Sequence, residues 1–330
     1  MEIRRDTEQD IPVIVDLLKK SLGEDLMPKS EAYWRWKHVA NPFGKSPALL
    51  AFDEGKLVGV RAFMRWQWLY NGERFESVRA VDTATHPDYQ GRGIFKKLTL
   101  SLLDSCKEDG WHFVFNTPNQ SSKPGYLKMG WKEAGKLPIN MQVSRPVSMA
   151  LQFAGLFKKQ PTEQVNDNSV ATYLKHPDAA ALIRASQQQH TGRMVTAHTV
   201  ESLRWRYHDV VVAKYYACGL HNGNALDAMI FYRIKPSKYG IELRITDFFA
   251  RPGNHQKALA KLIRQQVAAH KADYVTVSGK DNGFTMPGLI SLKNLSVGPI
   301  VTIRDITFDP TALLGNFEHW SPSVGDLELF

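Results

Sequence analysis

The chain has little cysteine: two residues in 330, far apart at Cys106 and Cys218. That excludes the disulfide framework that staples small secreted domains, and both thiols read as buried side chains. No run of about 18 apolar residues exists to span a bilayer, and the opening MEIRRDTEQD lacks the apolar core of a signal peptide. The expected location is the cytoplasm. No cluster of His, Cys or acidic residues has metal-ligand spacing, so no metal is expected. Two phosphate-binding signatures are missing as well. Gly44-Lys45-Ser46 looks like the end of a P-loop, but Val39 stands where its first glycine belongs, and no G-x-G-x-x-G follows the first strand.

What is present is a soluble composition, 43% hydrophobic and 23% charged. It suffices for two domains of roughly 150 residues each. The formal charge of +9 is spread over both halves. It fits an anionic ligand or solubility better than nucleic acid, and no nucleic-acid partner is expected. VSMALQFAGLFKK, at 147–159, is apolar with a basic end. It reads as an interdomain helix, with a position on an anionic lipid surface as the alternative.

The patterning predicts a short strand at IRRDT, a helix over DIPVIVDLLKKSL and a second helix capped by Ser30. Three antiparallel strands follow, turning at Asp53-Glu54-Gly55 and at Asn71-Gly72. The third, FESVRAVDTA, runs into THPDYQGRGIF and then into an amphipathic helix ending near residue 108. Strand WHFVFNT, a short helix beginning near Pro124 and strand WKEAG complete the half. From about residue 168 the order recurs, with Trp205-Arg206-Tyr207 standing against Trp36-Lys37-His38. This predicts a tandem duplication.

A strand that ends in a glycine turn and feeds a helix aims the helix's first N–H groups at one point. Gly91 and Gly93 would let an anionic group approach the main chain there, while Arg92 adds charge to the rim. Gln90, Gly91, Arg92, Gly93, Ile94 and Phe95 resemble the Q/R-x-x-G-x-G/A turn of the GNAT superfamily of acyl-coenzyme A dependent N-acyltransferases, which binds the coenzyme's pyrophosphate. Phe95 departs from the pattern, because a small residue is usual in its place. Asn119, Ser122, Tyr126, Gly130 and Trp131 are similar to a second motif of that family, N-x-x-A-x-x-x-Y-x-x-x-G-F.

The resemblance implies an α/β (α+β) fold of two tandem GNAT-like domains, each a mixed, mostly antiparallel sheet flanked by helices. The expected boundaries are 1–140 for an acyl-coenzyme A-binding domain, 141–167 for a linker and 168–330 for a degenerate second domain. It further implies acetyl-coenzyme A, or another acyl-coenzyme A, as co-substrate and an amine of a small molecule or amino sugar as acceptor. Backbone groups of Thr83, Ala84 and Thr85 would hold the thioester oxygen, and Asn119 would help bind the coenzyme. Tyr126 would bind beside the sulfur as general acid, a role that suits a phenol because phenols keep their proton near neutrality. Asp82 is the candidate base, with a salt bridge to Arg79 or Arg61 as the structural alternative. His86 comes next as a candidate base, at a strand-end position that often has no chemical role, and His38 and His112 are expected to be packed or solvated rather than catalytic.

In the second half RPGNHQKAL replaces the glycine turn, and Asp247 in ITDFFA sits much as Asp82 does in AVDTAT. Two other functions remain open from sequence: a Fem-like aminoacyl or peptidyl transferase, and a binding protein of the same fold without turnover.

Overall fold

The computed structural model describes residues 1–24, 27–161, 169–253, 255–279, 290–308 and 311–327. Its first half follows β1 (Glu2–Arg5), α1 (Ile11–Leu22), α2 (Glu31–Trp34), β2 (Ala48–Asp53), β3 (Lys56–Tyr70) and β4 (Glu73–Thr85). Then come α3 (Ile94–Glu108), β5 (Phe113–Asn116), α4 (Lys123–Lys128), β6 (Lys132–Lys136), β7 (Ile139–Val143) and α5 (Pro146–Phe153). The second half runs α6 (Val170–Leu174), α7 (Ala179–Gln187), β8 (Val195–Thr196), α8 (Val200–Tyr207), β9 (Tyr216–Asn222), β10 (Ala225–Ser237) and β11 (Gly240–Ala250). It ends with α9 (His255–His270), β12 (Tyr274–Ser278), β13 (Ile290–Leu295), β14 (Ile300–Asp305), α10 (Thr311–Leu314) and α11 (Val324–Leu327).

The local signals act where the sequence places them. Ser30 Oγ accepts the Tyr33 N–H at 3.1 Å and starts α2. Asn71 and Gly72 take φ of 49° and 84°, the left-handed pair that a two-residue hairpin needs between β3 and β4. On α1, Ile11, Ile14, Leu17 and Leu18 are buried against the sheet. Gly59 on β3 is required by contact: an added Cβ would stand 2.6 Å from Ile94 Cγ2 of α3.

Two mixed sheets result. The first has the order β1-β2-β3-β4-β5-β14-β6, with β8 added on β3; the second has the order β13-β7-β12-β11-β10-β9. Each half therefore lends a strand to the other's sheet. β7 lies at the boundary expected between first domain and linker, yet it pairs with β12 and β13 of the second sheet. β14, from far along the chain, fills the space between β5 and β6. Both strands cover edges that would otherwise expose unpaired N–H and C=O groups.

The halves also meet at the two matched tryptophans. Trp36 Nε1 donates to the Trp205 carbonyl at 2.7 Å, and Trp205 Nε1 donates to the Trp36 carbonyl at 2.7 Å. Their rings stack with centroids 4.9 Å apart. The segment after β7 forms α5, whose Ser148 and Gln152 reach Asp273, while Val147 and Phe153 stay exposed. It lies against the second half through these contacts. No helix among the described residues is long and apolar enough to cross a membrane.

Candidate active site

The site begins where β4 leaves its neighbours. β4 and β5 run parallel and pair only at Ser77/Phe113, Val78/Val114 and Arg79/Phe115. Beyond that point β4 continues to Thr85 paired with β3 alone, leaving its β5 side without a strand partner. Within this stretch the β3–β4 register slips: Arg61 faces Thr83 while Ala62 faces Val81, so Asp82 is the extra residue of a bulge. Its φ of 34° is unusual for a residue with a side chain and turns the carboxylate toward the α1/α2 face.

There Asp82 meets neither Arg79 nor Arg61. Lys37 Nζ lies 2.6 Å from Asp82 Oδ2, and His38 Nε2 lies 2.8 Å from the same oxygen. Burial alone would raise this carboxyl's pKa, but the Lys37 charge and the His38 hydrogen bond hold it well below the usual carboxylate range. Burial lowers the pKa of His38 and so favours its neutral imidazole, whose Nε2 shares a hydrogen bond with Asp82. His38 Nδ1 is buried with no hydrogen-bond partner. Asp82, His38, Lys37, Lys29 and Tyr33 line a small cavity on this face. His38 is packed against Trp34, with ring centroids 4.1 Å apart, and its bond to Asp82 adds a contact that the sequence did not point to. The sequence offered it only as part of the WKH triplet, which showed the repeat and not the chemistry.

The glycine turn lies past the end of β4. Gly91 and Gly93 take φ of 76° and 75°, and an added Cβ at either would meet nothing within 4 Å. Glycine is needed for the backbone angle, and the space beside it is open. Gly93 caps α3 without a side-chain hydrogen bond, so no side chain covers the first-turn N–H groups. Gln90 and Arg92 are exposed. Arg92 bends back to the Asp88 carbonyl at 3.0 Å and lies over the Tyr89 ring. The Ile94 side chain is core, which leaves only its main chain to face a ligand.

Phe95 has a packing reason to be large. Its ring stands edge-on to Tyr126, centroids 5.7 Å apart, and approaches Gly125, where an added Cβ would be 3.4 Å away. It thus fills the gap between α3 and α4, and the two motifs touch through it. Tyr126 is buried and also packs on Trp131 at 5.2 Å. Asn119 is exposed, and its Oδ1 accepts the Ser122 N–H at 2.8 Å, shaping the entry to α4. Thr83 and Thr85 are half-buried beside the bulge and Ala84 is buried. His86 Nδ1 accepts the Asp88 N–H at 3.4 Å and His112 Nδ1 the Glu76 N–H at 2.9 Å, both within turns and strand ends.

Tyr126 and Asp82 therefore stand on opposite faces of the first sheet, Tyr126 with α3 and α4 and Asp82 with α1 and α2. One residue on the α3/α4 face had no role in the sequence reading beyond a partner for Asp82. Arg61 is fully buried, and its guanidinium lies over the rings of Phe63, Phe95 and Tyr126 at 4.9, 5.6 and 5.4 Å. Arg79, also buried, instead donates to the carbonyls of Asp326 and Leu327 and to Thr117 Oγ1. Burial and the nearby Arg206 charge push it down to about 9.

The second half repeats the bulge with different chemistry. β10 and β11 slip at Phe231/Tyr232, passing over Thr246, so Asp247 is one residue beyond the position of Asp82. Asp247 accepts a hydrogen bond from the Tyr207 hydroxyl, and burial pushes its carboxyl up to about 6. His198 Nε2 lies 3.1 Å from Asp326 and 3.9 Å from Asp247. Burial favours neutral His198, but the two carboxylates prevail and raise its pKa. His198, Asp247 and Asp326 offer ligand atoms within 4.8 Å of one another, a proximity their sequence spacing does not reveal. Asn254 and the side chain of His255, which would flank a second turn, lie outside the described residues, as do 280–289.

Comparison with known proteins agrees with the first half of this description. Residues 2–134 match the family described as Acetyltransferase (GNAT) domain. An L-amino acid N-acyltransferase, MnaT, from Escherichia coli is 27% identical over 95 residues, which are 28% of this chain and 54% of that protein. The chain thus matches about half the length of that relative. Among solved structures, a GCN5-related N-acetyltransferase from Anabaena variabilis superposes with a TM-score of 0.65 at 14% identity, over 93% of this chain and 73% of that one. A probable N-acyltransferase from Enterococcus faecalis gives 0.65 at 11% identity, over 94% and 74%. Saccharomyces cerevisiae N-myristoyltransferase, solved with bound myristoyl-CoA, gives 0.56 at 10% identity, over 99% and 86%. At these identities the solved structures show the fold. Residues 2–134 thus resemble a GNAT domain, a fold that implies an acyl-coenzyme A ligand.

Proposed function

We propose that the chain is an N-acyltransferase that moves an acyl group, most simply acetyl, from coenzyme A to the amine of a small molecule or amino sugar. The observation that carries this reading is the parting of β4 from β5 after Arg79, with the side-chain-free turn at Gly91 and Gly93 following β4 and Tyr126 in contact with Phe95 of α3. In this reading the main chain of 90–95 holds the diphosphate. Backbone groups from the bulge to Thr85 polarise the thioester carbonyl, and Tyr126 protonates the departing thiolate. The acceptor enters from the α1/α2 face. Mixing the protein with acetyl-coenzyme A and a panel of amines should release free thiol; no release with any amine, despite coenzyme binding, would favour a binding protein.

The base in this scheme is a pair. Asp82 between Lys37 and His38 has little affinity for a proton, so it acts by holding Nε2–H of His38 and leaving Nδ1 as the acceptor of the ammonium proton. Asp6, Lys37 and Asp82 are the charges that act on this imidazole. Its protonated form is inactive, so the rate should rise with pH through an acid limb that lies below the ordinary histidine value of 6.5. His38→Gln should remove that limb and lower the rate about tenfold or more. A pH–rate profile with the limb unchanged in His38→Gln would assign the base elsewhere.

The proposal extends to a tandem pair, with the second unit beginning near residue 168 and no longer holding a coenzyme. The reciprocal Trp36/Trp205 bonds, the bulge in each long hairpin and the parallel pair β11–β12 against β4–β5 support it.

A further inference from the structure

Arg61 is a charge that its own surroundings in the described residues do not explain. It lies in β3, opposite Thr83, with 0% of its surface exposed. Its Nε and both terminal nitrogens lack any hydrogen-bond partner. Three aromatic faces attract the cation, but a ring face accepts none of the five N–H groups that a guanidinium carries in its plane. Burying an ion without a partner is strongly unfavourable, and chains keep such groups where something completes them. Arg79 shows the contrast: it is equally buried, and it spends its donors on two carbonyls and a hydroxyl.

The position says what completes Arg61. Phe95, in the first turn of α3, and Tyr126, in α4, carry two of the three rings over it. Those helices flank the groove assigned above to acyl-coenzyme A, and the inference rests on that assignment. The strong acceptors that the ligand assigned to this groove brings with it belong to the coenzyme and to its acyl group. We propose that Arg61 is the anion-receiving side chain of this groove, donating in a bidentate fashion to an oxyanion of the bound thioester. That oxyanion is either a phosphate oxygen or a carboxylate at the far end of the acyl group. The fork of a guanidinium fits both equally.

Calorimetric titration of wild type, Arg61→Met and Arg61→Lys with coenzyme A, acetyl-coenzyme A and succinyl-coenzyme A tests this and separates the two sources. Methionine fills similar space without a charge, and a cooperative thermal transition checks that the variant is folded. Arg61→Met should bind at least one of the three ligands roughly ten- to a hundredfold more weakly, the effect of losing hydrogen bonds to a charged group. Arg61→Lys should restore part of the loss. An equal loss for all three ligands identifies a phosphate. A loss confined to succinyl-coenzyme A, together with wild-type preference for it over the acetyl form, identifies an acyl carboxylate. Arg61→Met binding all three as wild type does would overturn the assignment of Arg61 alone. Wild type binding none of them would overturn the groove as well.

Discussion

Tyr126→Phe is expected to slow acyl transfer by roughly 10²- to 10⁴-fold, the range for loss of a general acid, while coenzyme affinity stays nearly unchanged. The substitution removes one oxygen and keeps the ring, so the edge contacts with Phe95 and Trp131 and the face offered to Arg61 all remain. Stability should hardly move, since those contacts bury the side chain in the α3/α4 core. A thiolate leaving without a proton is the step that suffers. The distinguishing measurement is single-turnover thiol release alongside equilibrium binding. A rate within twofold or so of wild type would return Tyr126 to packing, because the acid role predicts a loss at least about fiftyfold larger.

The same residue shows why part of the site was legible in the sequence. Tyr126 and the glycine turn belong to contiguous motifs, and the turn's function needs only backbone angles, which glycine advertises. Alternation and turn residues likewise gave β1 to β4, since neighbours in sequence are neighbours in that sheet. β7 and β14 were not legible as exchanged strands. Each is five or six residues long, and nothing in a period of two says which of two sheets will take it.

The cluster around Asp82 failed for another reason. A carboxylate in an apolar strand advertises that it needs a partner, but not which one. The two cations expected as its partners, Arg79 and Arg61, point elsewhere because the bulge gives Asp82 an orientation that strict alternation does not contain. Lys37 and His38 reach it from the segment after α2, a contact that depends on tertiary packing alone. Asp247 was misplaced by one residue on the same account, since the second bulge passes over Thr246.

The second large effect concerns how many coenzymes one chain holds. Gly93→Asp should weaken coenzyme A binding by roughly a hundredfold or more, as like charges brought together at a binding surface cost several kcal/mol. The carboxylate would project into the open space beside the turn, where nothing lies within 4 Å to deflect it. The φ of 75° is strained for a side chain but is one that Asp visits more readily than most, so the fold should survive. In the second half Pro252 has no N–H to offer, and Gly253 is the single glycine before α9. A helix dipole alone, worth about 0.3 to 1 kcal/mol where exposed, is too weak to hold a cofactor. Asp247 there lies one residue past the bulge and is bonded by Tyr207, so the arrangement around Asp82 is not repeated. Titration of wild type with coenzyme A should therefore give one site per chain, and the Gly93→Asp variant none of comparable affinity. A stoichiometry near two, or one full-strength site surviving in the variant, would mean that the second half binds coenzyme by a route that needs no glycine turn.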